Sequence, residues 1–394
     1  MKRILFIILL LALACHNIMA QGMWSDLATS EYRIDTADIK SLRVEVDNLS
    51  FFHDNEYTGV LTKGYTLPGL WIQPKLTYNP IKQIGLEVGL HALIFNGANK
   101  YPCYAYHDIG TWKGNQYQSG AHLLPWVRAK AQFKYLTIVL GNIYGGQNHR
   151  LIEPLFNPEL NLSQDPEMGC QLLWDRPHLH ADIWLNWQSY IFELDTHQEA
   201  FTVGMNWTVS YNKPENRIKW STPIQLVIQH RGGEQNITLR EVQTICNASL
   251  GVGMEWDANR KVLKKLGAEI NMLAAYQQSG NLWPFKTGLA IHTGVNLNLW
   301  NHLGFNVNHL YTPKHFVSLY GNSLFNTISQ IDQTSYEGNT TLSARVSYHR
   351  VIAKHYVLGA QAEAFQTWLP GNQKLNFNFG LYLRVNPSFL IKKW

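Results

Sequence analysis

The strongest constraint on this chain is the unbroken alternation from Lys374 to Asn386. Leu375, Phe377, Phe379, Leu381, Leu383 and Val385 share one face, and Lys374, Asn376, Asn378, Tyr382 and Arg384 share the other. Side chains alternate with a period of two only in a strand, so the segment predicts a strand with one apolar and one polar wall. Ile84 to Ala92, Phe201 to Tyr211 and Leu289 to Leu299 repeat the pattern. Followed along the chain, it predicts about sixteen strands, starting near residues 41, 66, 84, 121, 135, 168, 179, 200, 221, 243, 264, 286, 302, 339, 355 and 373. The connections alternate in length. Asn79–Gln83, Asp175–His178, Asn301 and Arg350–Lys354 are short, whereas Gly97–Gly120, Gly146–Glu167 and Thr312–Gly338 are long. Short periplasmic turns opposite longer external loops are the usual asymmetry of bacterial barrels, and an even strand count puts both termini in the periplasm.

A soluble β-sandwich would alternate too, with its apolar residues turned toward a second sheet. The aromatic residues separate the two cases. Tyr78, Phe133, Trp174, Tyr211, Trp256 and Tyr348 end the apolar faces of successive descending strands, and Trp300 ends another with its parity off by one. Trp and Tyr at one level are what a membrane–water interface selects, and a sandwich supplies no reason for them. The expected fold is therefore all-β: a transmembrane, antiparallel, up-and-down β-barrel of the outer membrane, with these residues as its periplasmic girdle. Composition agrees, since only 15% of the 394 residues are charged and 12% are aromatic. Soluble proteins carry roughly 25% charged residues.

The ends read differently. Lys2 and Arg3 precede an apolar run from Ile4 to Ala14, too short for a helix that must span a bilayer with about 20 residues. Residues 1–20 are expected to be a signal peptide cleaved after Ala20, with lipidation of Cys15 as the rival. Residues 21–40 lack alternation and are expected to form a periplasmic tail or plug, leaving 41–394 as the barrel. Without Lys2 and Arg3, 31 basic residues face 28 acidic ones, a net +3 with no run of Lys or Arg, so no nucleic-acid partner is expected. Cys103, Cys170 and Cys246 are an odd, scattered set, which is no disulfide framework.

The inward face carries Arg43, Lys75, Arg128, Lys130, Arg345 and Arg384 against Glu45, Asp47, Glu87, Asp182, Glu255, Glu269 and Glu363. Either these line a hydrophilic pore or they pair into a network that fills it. Arg345, Glu363, Arg384 and Glu45/Asp47 fall on consecutive walls, where opposite charges pair across the ladder. The third long loop brings Leu151, Ile152, Glu153, Leu155 and Phe156, a segment suited to constriction inside the barrel or to docking outside it. His178, His180 and Asp182 share a strand face, but a structural metal site wants four ligands, so no metal is expected. No Ser/His/acid arrangement can be assembled without knowing the shear, and no phosphate-binding Gly loop is present. The chain is accordingly expected not to be an enzyme and to need no cofactor.

Three stretches carry a resemblance. They are Tyr65-Thr66-Leu67-Pro68-Gly69 running into Trp71-Ile72-Gln73-Pro74-Lys75-Leu76, then Gly141-Asn142-Ile143-Tyr144-Gly145-Gly146 leading to Glu153-Pro154-Leu155, and Phe201-Thr202-Val203-Gly204. In these the chain resembles the porin-like outer-membrane barrels of Bacteroidota, which implies location and fold but no catalytic residues. The expected function is a porin-like channel for small hydrophilic solutes. The alternative is a non-conducting accessory barrel of an outer-membrane assembly or secretion complex, favoured by the inward Trp71, Trp126 and Trp184. Expected partners are the bilayer and lipopolysaccharide, joined under the alternative by other outer-membrane proteins or lipoproteins.

Overall fold

A computed structural model describes residues 32–97, 120–213, 215–234, 241–300 and 302–394. The expected signal peptide, Cys103, most of the Gly97–Gly120 connection and Asn301 lie outside these residues. The strands are β1 (Ser41–Glu56), β2 (Tyr65–Ile81), β3 (Ile84–Phe95), β4 (Gly120–Gln132), β5 (Leu136–Asn142) and β6 (Met168–Arg176). They continue as β7 (Leu179–Ser189), β8 (Ala200–Ser210), β9 (Ile218–Arg231), β10 (Gln243–Asp257), β11 (Leu263–Ser279) and β12 (Thr287–Leu299). The last are β13 (Leu303–Thr312), β14 (Asn339–Ala353), β15 (Tyr356–Leu369), β16 (Asn372–Val385) and β17 (Ser388–Lys393). Every strand start expected from periodicity falls within three residues of an observed one.

Each strand pairs antiparallel with its sequence neighbour, and the sheet closes on itself. β1 pairs with β2 on one side, and on the other with β16 through Asn48–Glu56 and with β17 through Ser41–Glu45. β16 and β17 are thus one stave, broken at Asn386-Pro387, and the barrel has sixteen. Proline has no N–H to give a ladder, so the break falls there. The Pro387 carbonyl still accepts from the Val46 amide at 3.0 Å. Seven of the hairpin turns meet at the mouth that holds the chain's C-terminus, here the near mouth, and the long loops meet at the far one.

Facing follows the alternation. In β16, Leu375, Phe377, Phe379 and Leu381 are exposed on the outside, and Asn376, Asn378 and Tyr382 are buried inside. Outward apolar residues form a belt around the whole wall. Phe133, Trp174, Tyr211, Trp300 and Tyr348 are exposed at its near edge, with Tyr78 and Trp256 half-buried beside them. The odd parity of Trp300 has a local cause: it sits in the turn after β12 with φ 49°, a left-handed conformation that redirects its side chain. At the belt's far edge Tyr276, Tyr311 and Trp368 are exposed as a second aromatic level.

The residues before β1 cross the near mouth. Arg33 donates to the carbonyls of Phe133 and Lys134 at 3.1 and 3.0 Å, and the Ile34 amide donates to Gln132 at 2.7 Å. Tyr32 hydrogen-bonds Asp175 and lies against the Tyr144 ring, with centroids 5.7 Å apart.

Depth in the belt sets the tolerance of the wall to charge. Arg on a lipid-facing site costs about 2–4 kcal/mol at the midplane and about 0–1 kcal/mol near an interface. Ile270, midway along β11, is 53% exposed, and Trp300, at the near edge, is 52% exposed. Ile270→Arg should abolish the heat-modifiable folded form on gels, and Trp300→Arg should leave it. Equal loss from both would mean that the belt does not face lipid.

Candidate functional site

Two long loops decide what the lumen is. Ahead of the loop of residues 143–167, near the end of β5, stands Gly141, whose φ of 87° and close packing suit no other residue: a Cβ there would lie 2.2 Å from the Val127 carbonyl oxygen. The chain then turns inward. Leu151, Ile152, Leu155 and Phe156 are all buried, so the segment lies within the barrel and offers no docking surface. The second loop, residues 313–338, enters from the opposite wall and buries Phe316, Val317, Leu319, Tyr320, Leu324 and Phe325. The loops touch through a parallel bridge between Phe156 and Tyr320, and the Asn157 amide donates to the Tyr320 carbonyl at 2.7 Å. Gly321 allows the crossing, because a Cβ there would come within 2.1 Å of the Pro154 carbonyl oxygen. With inward Val139, Leu173, Trp184, Val227, Ile245, Leu273, Leu310 and Phe365, these residues form one apolar core across the far half of the lumen.

Polar wall residues hold the loop backbones, as buried amides and carbonyls require. Gln225 accepts from the Ile152 amide at 3.0 Å, Asn247 brackets Val317 and Leu319 at 2.9 and 2.7 Å, and Asn339 donates to the carbonyls of Leu324 and Asn326 at 2.9 Å.

Most of the inward charges are held in ion pairs. Glu87 takes Lys75 at 2.9 Å and Arg128 at 3.3 Å, and Arg128 also donates to the carbonyls of Asn142 and Ile143 at 2.6 and 3.0 Å. Arg384 pairs with Asp47 at 2.7 Å. Glu45 faces Lys75 at 3.4 Å instead, and Arg43 turns to Asp38 at 3.1 Å. Lys130 reaches the Tyr32 carbonyl at 3.4 Å. Glu255 lies at the near mouth between Lys219 and Lys265, and Glu269 is 3.8 Å from His292. Arg345 bridges Glu363 on the wall, at 2.9 Å, and Glu153 of the inserted loop.

Asp182 is claimed by His149 of the loop at 2.8 Å, and Glu167 takes the other ring nitrogen at 3.1 Å. The imidazole stacks on Trp184 with centroids 3.5 Å apart. His180 bonds Asp175 and His178 bonds the Ser210 carbonyl, so the three residues of that strand face have three separate partners. Burial works against the charge on His149, but Glu167 and Asp182 more than offset it and hold the imidazole at about 9, above its usual 6.5. Burial likewise disfavours the Glu167 carboxylate, which His149 and the Gly146 amide nevertheless bring below its ordinary value.

Sequence reasoning missed part of this arrangement. Glu159 of the first loop is buried against His53 at 3.4 Å, Asn55 at 3.1 Å and Tyr65 at 2.6 Å, and His149 and Glu167 went unnoticed beside Asp182. A cavity of about 150 Å³ lies on the near-mouth side of the first loop, between Trp71, Lys75, Trp126, Arg128 and Arg384.

The model of the lipid A 3′-O-deacylase-type family matches residues 34–394, the whole described barrel. The chain belongs to that family. For the deacylase-type barrel this overturns the expectation of a protein that is not an enzyme, because the family is named for a hydrolysis. The expectation rested on the lack of a readable catalytic motif, and a site assembled across strands leaves none. No curated protein matches the chain. Among solved structures it is similar to OccAB4 of Acinetobacter baumannii, at 10% identity and TM-score 0.49, over 90% of this chain and 100% of that one. It is similar to OccK5 (OpdH) of Pseudomonas aeruginosa, at 9% identity and TM-score 0.48, over 90% and 99%. The outer-membrane protein OprD of Pseudomonas aeruginosa matches at 9% identity and TM-score 0.44, over 89% and 95%. The deacylase-type chain is a multi-pass outer-membrane β-barrel.

Two tests follow from the ion pairs. An imidazole raised above its unfolded value contributes stability that is complete below about pH 6.5 and is lost as the pH rises through about 9. Loop 143–167 should therefore become protease-sensitive on alkalinisation, and His149→Gln should remove that dependence. Replacing Arg345 by Met leaves Glu153 and Glu363 buried without their cation, a change that costs about 3–5 kcal/mol. Arg345→Met should lower the unfolding midpoint in urea, and adding Glu363→Gln should restore part of the loss.

Proposed function

We propose that this barrel hydrolyses an acyl ester of lipid A in the outer leaflet, with the short-turn mouth in the periplasm and the long loops outside. The observation that carries the reading is the family match, which spans the barrel from residue 34 to residue 394. The filled lumen supports it from another side. A passive channel needs a continuous wet path, and the buried core built on the two inserted loops takes up much of the far half of the lumen. Substrate that lives in the bilayer has no need of it. An acylated glycolipid meets the protein on its outward wall, where the apolar belt already solvates fatty chains.

Expression in a Gram-negative host, followed by mass spectrometry of extracted lipid A, should show species lighter by one acyl chain than those of the vector control. The same purified barrel in a planar bilayer should stay at baseline conductance, and deletion of Leu151–Asn157 should open it. Unchanged lipid A together with stepwise conductance from the intact protein would replace the hydrolase by a channel.

A further inference from the structure

An ester hydrolase facing a bilayer must hold its reacting groups where lipid and water meet. Among the described residues, the outward face carries few polar side chains. Asp54 accepts from Thr66 at 2.6 Å, but a carboxylate with one hydroxyl has no third group to orient it. His309 is flanked in register by Thr293 and Leu342. The pair at the far ends of β9 and β10 is different. Thr244 Oγ1 lies 2.8 Å from His230 Nδ1, and His230 Nε2 lies 2.8 Å from the Gly232 carbonyl oxygen.

The carbonyl can only accept, so Nε2 carries the ring proton. Nδ1 of the neutral ring is then an acceptor, and the Thr244 hydroxyl donates to it. We propose that Thr244 is the nucleophile of an acyl-ester hydrolase site on the outer wall, with His230 as its base and the Gly232 carbonyl as the group that fixes the ring. This rests on the hydrolase reading above and adds the residues that perform it. A hydroxyl, a base and an orienting acceptor in sequence are the arrangement that makes a weak alcohol nucleophilic.

Surroundings fit a lipid ester. Cys246, the next outward residue of β10, is paired with Tyr276 of the far aromatic level, so Thr244 stands about 7 Å beyond that level. Ester linkages of a lipid sit at that boundary between headgroup and chain. Below Thr244 the outward column continues with the small Cys246 and Ala248, and Ala274 is the register partner of Ala248. Leu226 and Ile228 stand beside that column on β9. Small side chains therefore continue from the hydroxyl down into the belt. Phe201 has its ring centroid 5.1 Å from that of His230.

The reaction balances with water alone. Thr244 Oγ bonds to the ester carbonyl carbon while its proton passes to Nδ1. The carbon–alkoxide bond then breaks, the sugar oxygen takes that proton, and the acyl group remains on Thr244. A water molecule repeats the sequence and releases the fatty acid.

The test uses the full-length barrel with lipid A in mixed micelles, read as fatty acid released and as acyl adduct on the Thr244 peptide after acid quench. The wild type should release one chain and show the adduct, Thr244→Ser should keep activity within about tenfold, and Thr244→Val and His230→Gln should each lose at least about 100-fold. Heat-modifiability on gels monitors folding, and the wild-type adduct needs no variant. Wild-type turnover without an adduct, or a folded Thr244→Val that keeps full activity, overturns this assignment and leaves the hydrolase reading intact. A wild type that hydrolyses no acyl ester of lipid A overturns both.

Discussion

Sixteen tilted strands enclose more space than their own inward side chains can fill. Barrels of about eight strands are packed by their wall, and those of sixteen to eighteen leave an open lumen. The rest of this structure follows from how that space is closed. Loop residues 143–167 and 313–338 enter from the far mouth and meet over the barrel axis, where Phe156 bridges Tyr320 and Gly321 passes under Pro154. Once they are inside, the wall must present apolar groups to their apolar side chains and hydrogen-bonding groups to their backbone. That demand explains why the inward face changes character along its length. It carries Leu173, Trp184, Val227 and Phe365 beside the loops, and Lys75, Glu87, Arg128 and Arg384 toward the near mouth.

Buried charge is costly unless each ion meets partners that replace its water. The lumen meets this requirement with three-membered groups: Lys75 and Arg128 on Glu87, Glu153 and Glu363 on Arg345, Asp182 and Glu167 on His149. In the last two, one partner belongs to an inserted loop and another to the wall. These pairs therefore specify where the loop sits as well as balancing charge. A one-residue slip of the loop would part Arg345 from Glu153 and leave Asp182 buried without its counter-ion. The apolar contacts alone would tolerate such a slip far better, because they are not directional.

The strands were legible because alternation is written locally, and their starts could be placed within three residues. The inward charges were legible for the same reason, and the pairing of Arg345 with Glu363 follows from adjacency on β14 and β15. The loops were harder. Leu151, Ile152, Leu155 and Phe156 look alike in sequence whether they pack inside a barrel or await a partner outside it. Residues 313–338 gave no hint of their role, because burial there depends on the space that closure creates. His149, Glu153 and Glu159 each meet a partner distant in sequence, and no spacing rule predicts such encounters. The hydrogen-bonded pair of His230 and Thr244 is hidden in the same way, since the two come together only through the register of β9 and β10.

Closing the lumen also determines where chemistry on a lipid can occur. Under the proposed hydrolysis, water and a lipid ester would meet at the rims of the belt, because the outward wall between them is dry. A nucleophile placed within the belt would lack the water that completes hydrolysis, and one on an external loop would stand away from the chains that identify a lipid. The rung just beyond the far aromatic level satisfies both requirements. There the wall is still a hydrogen-bonded sheet, so His230 and Thr244 are held by paired strands rather than by a loop. Sheet rigidity at the rim is in turn maintained by the inserted loops, which pack against the inner side of the same strands through Val227, Ile245 and Asn247. The inserted loops thus support the outer wall from behind.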